Sequence, residues 1–185
     1  SDLQLKEQCF AAFVRSPWAH AKVVRVEINE ARQMSGVRAI YTGADMAREG
    51  LGSIGPVVVF NGRDGQPMKQ VGIPVLAHER VFHVGEAVAM VVADTESQAQ
   101  LAAEAVEVEW QPLTAVVEPL VALHHDRVRL HEHVPDNVVL DWADGDEGKS
   151  AAVFAQAHHI ETVDLDDPPM TACAMEPKAA IAIWD

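Results

Sequence analysis

The chain has 185 residues, enough for one domain with a substantial core or for one domain and part of a second. Its 28 acidic and 14 basic side chains leave a formal net charge of -14 without any Lys/Arg cluster, so nucleic acid and anionic membrane surfaces are disfavoured as partners. Apolar residues make up 49% and charged residues 23%, the balance of a folded globular protein; no long apolar run or basic-then-apolar leader is present, so neither membrane insertion nor an export signal is expected.

Taken in chain order, strands are expected over residues 9–14 and 22–28, on either side of a turn at Ser16-Pro17. In the second strand Val24, Val26 and Ile28 alternate with Arg25 and Glu27, the period of two that one buried sheet face requires. Asn29 is a candidate cap for a short helix through Met34, Gly36 ends it, and a strand follows over 37–42. From 48 to 71 glycine and proline become frequent and periodicity fades. This predicts a long surface excursion with one strand at 56–60, and loops of that length tend to be functional or to meet a partner.

The apolar run "AVAMVVA" at 87–93 predicts a strand buried on both faces. Thr95-Glu-Ser-Gln98 fits a capping box ahead of a helix over 99–105, after which Val106, Val108 and Trp110 alternate with Glu107 and Glu109 in a half-buried strand. Two strand-helix-strand units imply an α/β or α+β architecture with helices packed on a sheet. Pro112, Pro119 and Pro135 then punctuate a linker over 112–137. Strands at 138–142, 160–165 and 179–184, with a helix near 150–157, are expected to begin a further domain within which the chain stops.

Few residues offer chemistry. Cys9 and Cys173 are far apart and form no Cys-x-x-Cys pair, so no iron-sulfur or redox motif is encoded and both are expected to be small buried hydrophobes. His124, His125, His131 and His133 invite a metal reading, but their spacing matches no zinc or copper signature. His78 and His83 are five apart and would not share a helical face. "NGRDGQP" at 61–67 is turn chemistry, Gly85 is a lone glycine rather than a phosphate loop, and no G-x-S-x-G elbow is present. Glu86, set between Gly85 and the apolar run, lacks a second titratable group at a useful spacing. It is read as solvating a turn or pairing with Arg80 or another nearby base.

The segments "FVRSPWAHAKV" (13–23), "GVRAIYTGAD" (36–45), 77–119, "LHEHVPDNVVLDWADGD" (130–146) and "MEPKAAIAIWD" (175–185) together resemble the large subunit of molybdenum hydroxylases, the aldehyde oxidase, xanthine dehydrogenase and carbon monoxide dehydrogenase family. The resemblance implies an α+β fold: an α/β hammerhead domain over 1–111, the linker over 112–137, and the incomplete beginning of a molybdopterin-binding domain over 138–185. It also implies, for the complete enzyme, a molybdopterin-molybdenum centre with iron-sulfur clusters and FAD in partner domains or subunits. None of these cofactors is expected in this chain, because the pterin-binding loops and the catalytic glutamate of the family lie beyond its end. Trp18 stands where histidine is frequent, Ala87 where proline is usual, Lys178-Ala179 where Arg-Gly is common, and Ala172 where many members carry histidine.

The expectation is therefore an inactive scaffold portion of the large subunit, with no catalytic, cofactor-binding or metal residues. Gly85, Glu86, Met175, Glu176 and Lys178 are structural or domain-interface candidates. Its partners would be the remainder of the molybdopterin subunit and the iron-sulfur and flavin subunits, with a homo-oligomer left open. The location would be the cytoplasm, or the periplasm if an exported partner carries it. The rival readings are a stand-alone interaction module and a histidine-based metal-binding protein.

Overall fold

Alternating exposure along Phe10–Arg15 makes this segment a strand, β1, that shows one face to the core. The computed structural model describes residues 5–124, 126, 128–165, 167, 175 and 179–183. Contacts divide the chain into a unit spanning Lys6–Ala143 and a second comprising Ser1–Leu5 with Asp144–Asp185.

In the first unit, β2 is Ala21–Glu27, α1 is Asn29–Gln33 and β3 is Val37–Thr42. The predicted phase of β2 is broken by a bulge: Val23 lies opposite Trp110 and Arg25 opposite Glu109, which leaves Val24 unpaired and exposed while Val23 and Val26 turn to the core. Asn29 is not the cap of α1, because the helix starts with it. The Glu27 carboxylate accepts the Asn29 N–H instead, at 3.0 Å. Gly36 adopts φ +82° in the turn to β3, a conformation that favours glycine.

A helix that periodicity did not reveal follows, α2 at Gly43–Arg48. Its start is a capping box in which the Thr42 hydroxyl accepts the Asp45 N–H, while the Asp45 carboxylate accepts both the Thr42 N–H and the Thr42 hydroxyl at 2.8 Å. Those bonds from Thr42, helped by Arg48, hold the Asp45 carboxyl below the usual carboxylate range.

The excursion carries a two-stranded ribbon, β4 (Ser53–Ile54) antiparallel to β5 (Ile73–Pro74). The strand expected at 56–60 does not form: Val57, Val58, Val59 and Phe60 are exposed and lie outside every strand. Beyond them the 61–67 turn closes on an isolated bridge between Asn61 and Pro67.

The short β6 (Arg80–Val81) leads to β7 (Ala87–Ala93), α3 (Glu96–Glu104) and β8 (Glu107–Pro112). Strand β7 is the centre of an antiparallel sheet ordered β1-β7-β3, so both its edges are paired and Val88, Ala89, Val91 and Ala93 are fully buried. The second sheet is ordered β6-β2-β8. Thr95 caps α3 by accepting the Gln98 N–H, so the helix starts at Glu96, three residues before the expected position. Ala31, Ile40, Val91, Ala102 and Val106 form one core cluster, and Ala21, Ala77, Val81 and Val88 form another; Val14 and Val108 pack against both. The fold is thus α+β, with small helices on antiparallel sheets.

The expected linker contains a short helix, α4 (Pro119–Ala122), with proline in its first turn. Asn137, at φ 56°, ties the following segment together: its amide donates to the carbonyls of Ala122 and Val128, and its side-chain oxygen accepts the Leu130 N–H. The stretch 138–142 is not a strand. Single bonds from Lys69 N–H to the Val139 carbonyl and from Arg63 N–H to the Asp141 carbonyl dock it on the 61–69 turn, with ion pairs Lys69–Asp136 (2.7 Å) and Arg63–Asp141 (3.0 Å).

In the second unit, Asp146 caps α5 (Glu147–Ala155), earlier than the helix expected at 150–157. No strand forms over 160–165 or 179–183, and the last residue of that expected strand lies outside the described residues. Described residues from 144 onward are exposed, and a strand without a partner has no ladder to satisfy its backbone. Cys9 is exposed, contrary to the expectation of burial, because it lies just before β1 and not within the sheet; Cys173 is outside the described residues.

Candidate functional site

Glu86 sits in the turn between β6 and β7. Gly85 takes φ +88° there with open space around its missing side chain, so its backbone conformation, not crowding, is what favours glycine. The turn is stitched to the end of β1: Gly85 N–H donates to the Ser16 carbonyl (2.8 Å), Ser16 N–H donates to the Glu86 carbonyl (2.9 Å), and the Arg15 guanidinium donates to the Gly85 carbonyl (2.8 Å). Ser16, 2% exposed, also accepts the Trp18 N–H at its hydroxyl and donates back to the Trp18 carbonyl. Ala87 opens β7 opposite Arg15, at a register shift in the β1 pairing.

The Glu86 side chain turns inward instead of solvating the turn, and the nearby base beside it is His83, not Arg80. It is 5% exposed, its Oε2 accepts the Phe82 N–H at 2.7 Å, and His83 Nδ1 lies 3.5 Å away. A carboxylate spent on a backbone donor four residues earlier closes the turn from inside. Removing it leaves the Phe82 N–H without its acceptor in a water-poor place. Glu86→Ala is expected to lower stability by about 1–3 kcal/mol. Glu86→Gln, which keeps an acceptor oxygen, should lose less; urea denaturation of the two variants checks the order.

Around this turn the structure gathers side chains that the spacing in sequence did not connect. His20, from the loop before β2, is 4% exposed, and its Nδ1 lies 2.7 Å from the Thr114 carbonyl. A carbonyl only accepts, so Nδ1 carries the hydrogen; Nε2 is buried and has no hydrogen-bond partner among the described residues. The His20 ring stacks on Phe82 at 5.5 Å, Phe82 meets His131 at 4.3 Å, and His131 lies 5.9 Å from His133. His133 Nε2 is 3.0 Å from the Gln70 carbonyl. Burial lowers the His131 pKa below the ordinary imidazole value, reinforced by His133, Arg80 and, more weakly, His20, and opposed by Glu86. His20 and Phe82 were not legible as site residues, because a lone histidine and a lone phenylalanine far apart in sequence carry no spacing signal.

Met175 is fully exposed in the second unit and Ala179 is exposed, whereas Ala172, Glu176 and Lys178 lie outside the described residues. Among the described residues no group of three His, Cys, Asp or Glu side chains converges as a metal donor set. The His131 and His133 rings meet tilted at 55°, and His125 lies outside the described residues. A cavity of about 250 Å³ beside the 61–69 turn is lined by Arg63, Lys69, Asp136 and Asp141, whose charges are already paired with one another. The positive-φ glycines Gly36, Gly50, Gly65, Gly85 and Gly145 are scattered along the chain and build no loop of adjacent backbone donors for a pterin pyrophosphate.

Comparison with known proteins places these elements. Residues 1–114 match the family described as aldehyde oxidase and xanthine dehydrogenase, a/b hammerhead domain. Nicotine 6-hydroxylase large subunit of Paenarthrobacter nicotinovorans is 30% identical over 189 residues, covering 100% of this chain and 22% of the relative. The putative xanthine dehydrogenase molybdenum-binding subunit of Escherichia coli is 28% identical over 98% of this chain and 23% of its own length. The structure of reconstituted CO dehydrogenase from Oligotropha carboxidovorans superposes with a TM-score of 0.71 at 29% identity, over 85% of this chain and 20% of the other. The chain thus spans roughly a fifth to a quarter of the relatives it matches. It belongs to the aldehyde oxidase and xanthine dehydrogenase a/b hammerhead family.

Proposed function

We propose that the chain is the amino-terminal, non-catalytic scaffold portion of the large subunit of a molybdenum-cofactor oxidoreductase. The observation that carries this reading is the pattern of similarity: relatives described as a large or molybdenum-binding subunit align with 98% or more of this chain while leaving most of their own length unmatched. On this reading 1–111 is the hammerhead domain, 112–137 the linker and 138–185 the beginning of the molybdopterin-binding domain. Molybdenum, pterin, iron-sulfur clusters and FAD belong to the remainder of that subunit and to partner subunits. No helix among the described residues is long and apolar enough to cross a membrane, and the proposed location is the cytoplasm.

Gly85 and Glu86 then shape the β6–β7 turn, and Met175, Glu176 and Lys178 are the domain-interface or structural candidates of the carboxyl-terminal segment. Glu86→Gln should leave turnover of a reconstituted enzyme intact. The exposed apolar side chains at 57–60 support a partner over a self-sufficient module.

The test is elemental analysis and aldehyde-dependent dye reduction on the purified 185-residue chain, alone and with the remainder of the subunit supplied. The expected result is neither stoichiometric molybdenum nor turnover until the remainder is added. Both properties in the 185 residues alone would overturn the proposal.

A further inference from the structure

A row of four rings, His20 stacked on Phe82 and the next two contacts tilted, joins parts of the chain that are distant in sequence. His20 precedes β2, Phe82 lies in the turn after β6, and His131 and His133 belong to the segment 128–137 that follows α4. That segment has little else to hold it on the sheets. It contains no helix or strand longer than the isolated His131–Val134 bridge; Val134, 1% exposed, is its one fully buried side chain, and Val128, Leu130 and His131 are half-buried. Its polar attachments are His133 to the Gln70 carbonyl, Lys69 to Asp136, and the Asn137 amide to the Ala122 carbonyl of α4.

We propose that this row of rings is a protonation-sensitive latch, in which neutral His131 holds the 128–137 segment against Phe82 and acid releases it.

The charged and titratable groups that face His131 come from every element around it. Arg80 comes from β6, Glu86 from the following turn, His20 from the loop before β2, and His133 from its own segment. Three of the four oppose a positive charge on His131, and so does its partial burial; only Glu86 favours one, and its Oε2 already accepts the Phe82 N–H. A docked ring that takes up a proton less readily than a free one is bound most firmly above the ordinary imidazole value of 6.5 and loses that advantage as pH falls below it. Protonation also replaces a neutral aromatic contact with a cation that water solvates better than the Phe82 neighbourhood does. Released, 128–137 would be a free loop between α4 and the 138–142 stretch, which the bonds to Arg63 and Lys69 keep docked, so the latch sets how firmly this loop covers Phe82 and the β6–β7 turn.

Amide hydrogen exchange on the full 185-residue chain at pH 7.5, 6.5 and 5.5, corrected for intrinsic exchange rates, tests this. Protection over 128–137 should fall with decreasing pH by up to tenfold per unit, the limit for one proton, while β7 keeps its protection. His131→Phe, which keeps the ring but cannot titrate, should hold the segment at all three values. Unchanged protection in the wild type, loss of β7 protection over the same range, or acid release in His131→Phe as large as in the wild type would each overturn the latch. Should His131→Phe fail to fold, the imidazole resonance of His131 followed by NMR in the wild type decides: a midpoint at or above the ordinary value overturns the proposal, and one below it that coincides with release supports it.

Discussion

Val91→Asp is expected to abolish the cooperative unfolding transition of the hammerhead unit. Val91 is fully buried at the middle of β7, opposite Ala12 on one side and Ile40 on the other, and it packs in the cluster with Ala31, Ala102 and Val106. No described cation stands among those neighbours to receive a carboxylate. An unpaired charge there costs several kcal/mol, a large part of the roughly 5–15 kcal/mol that holds a domain of this kind together. Val91→Ala, which removes two methyl groups and leaves a small void, should cost only about 2 kcal/mol and keep a sharp transition. Thermal melts followed by circular dichroism separate the two. A Val91→Asp chain that melts as the wild type does would mean that β7 is not the centre of the sheet.

The strength of that prediction reflects how much of this region was readable beforehand. An unbroken apolar run such as 87–93 satisfies only a strand with neighbours on both edges and cover on both faces, and Thr95 before an alanine-rich stretch satisfies only a capped helix start. Both signals are local, so sequence carries them. Val26 and Ile28 pack on the core as the alternation predicts, but Val24 does not, because the bulge is defined by the partner: Val24 is pushed out by the spacing of Trp110 and Glu109 opposite, which β2 itself does not encode. Helix α2 was hidden because its six residues are too few to show a period, although Thr42 and Asp45 three apart were the available cue.

The candidate site was less legible for the same reason on a longer scale. Glu86 reads as a surface carboxylate when only its neighbours in sequence are considered; in the fold its acceptor role toward the Phe82 N–H draws it inside. His131 and His133 attract attention by their spacing, yet what gives them a role is Phe82, some fifty positions earlier, and His20, earlier still. The strand expected at 138–142 failed because strand propensity without an adjacent edge yields only the two docking bonds to Arg63 and Lys69.

The second large effect concerns assembly and rests on the proposed scaffold role. Val57→Glu combined with Val59→Glu should leave the melting of the isolated chain unchanged and prevent its association with the remainder of the large subunit. Val57 is fully exposed, and Val58, Val59 and Phe60 beside it are exposed as well, an apolar run on an excursion that no strand in the unit covers. Altering the pair costs the isolated chain little, since Val57 is already fully in water and Val59 is 44% exposed. In a complex that covers them, each valine contributes about 1.5–3 kcal/mol through burial. Losing two, and placing two carboxylates in the interface, should weaken association a hundredfold or more. The two halves of the prediction guard each other: a lowered melting point would show that 57–60 supports the unit itself, and unaltered association with the remainder, measured by co-purification and by titration of the purified parts, would show that this face points to water in the assembled enzyme. Only a chain that folds normally and fails to assemble marks the excursion as the surface by which the hammerhead unit is held in the larger subunit.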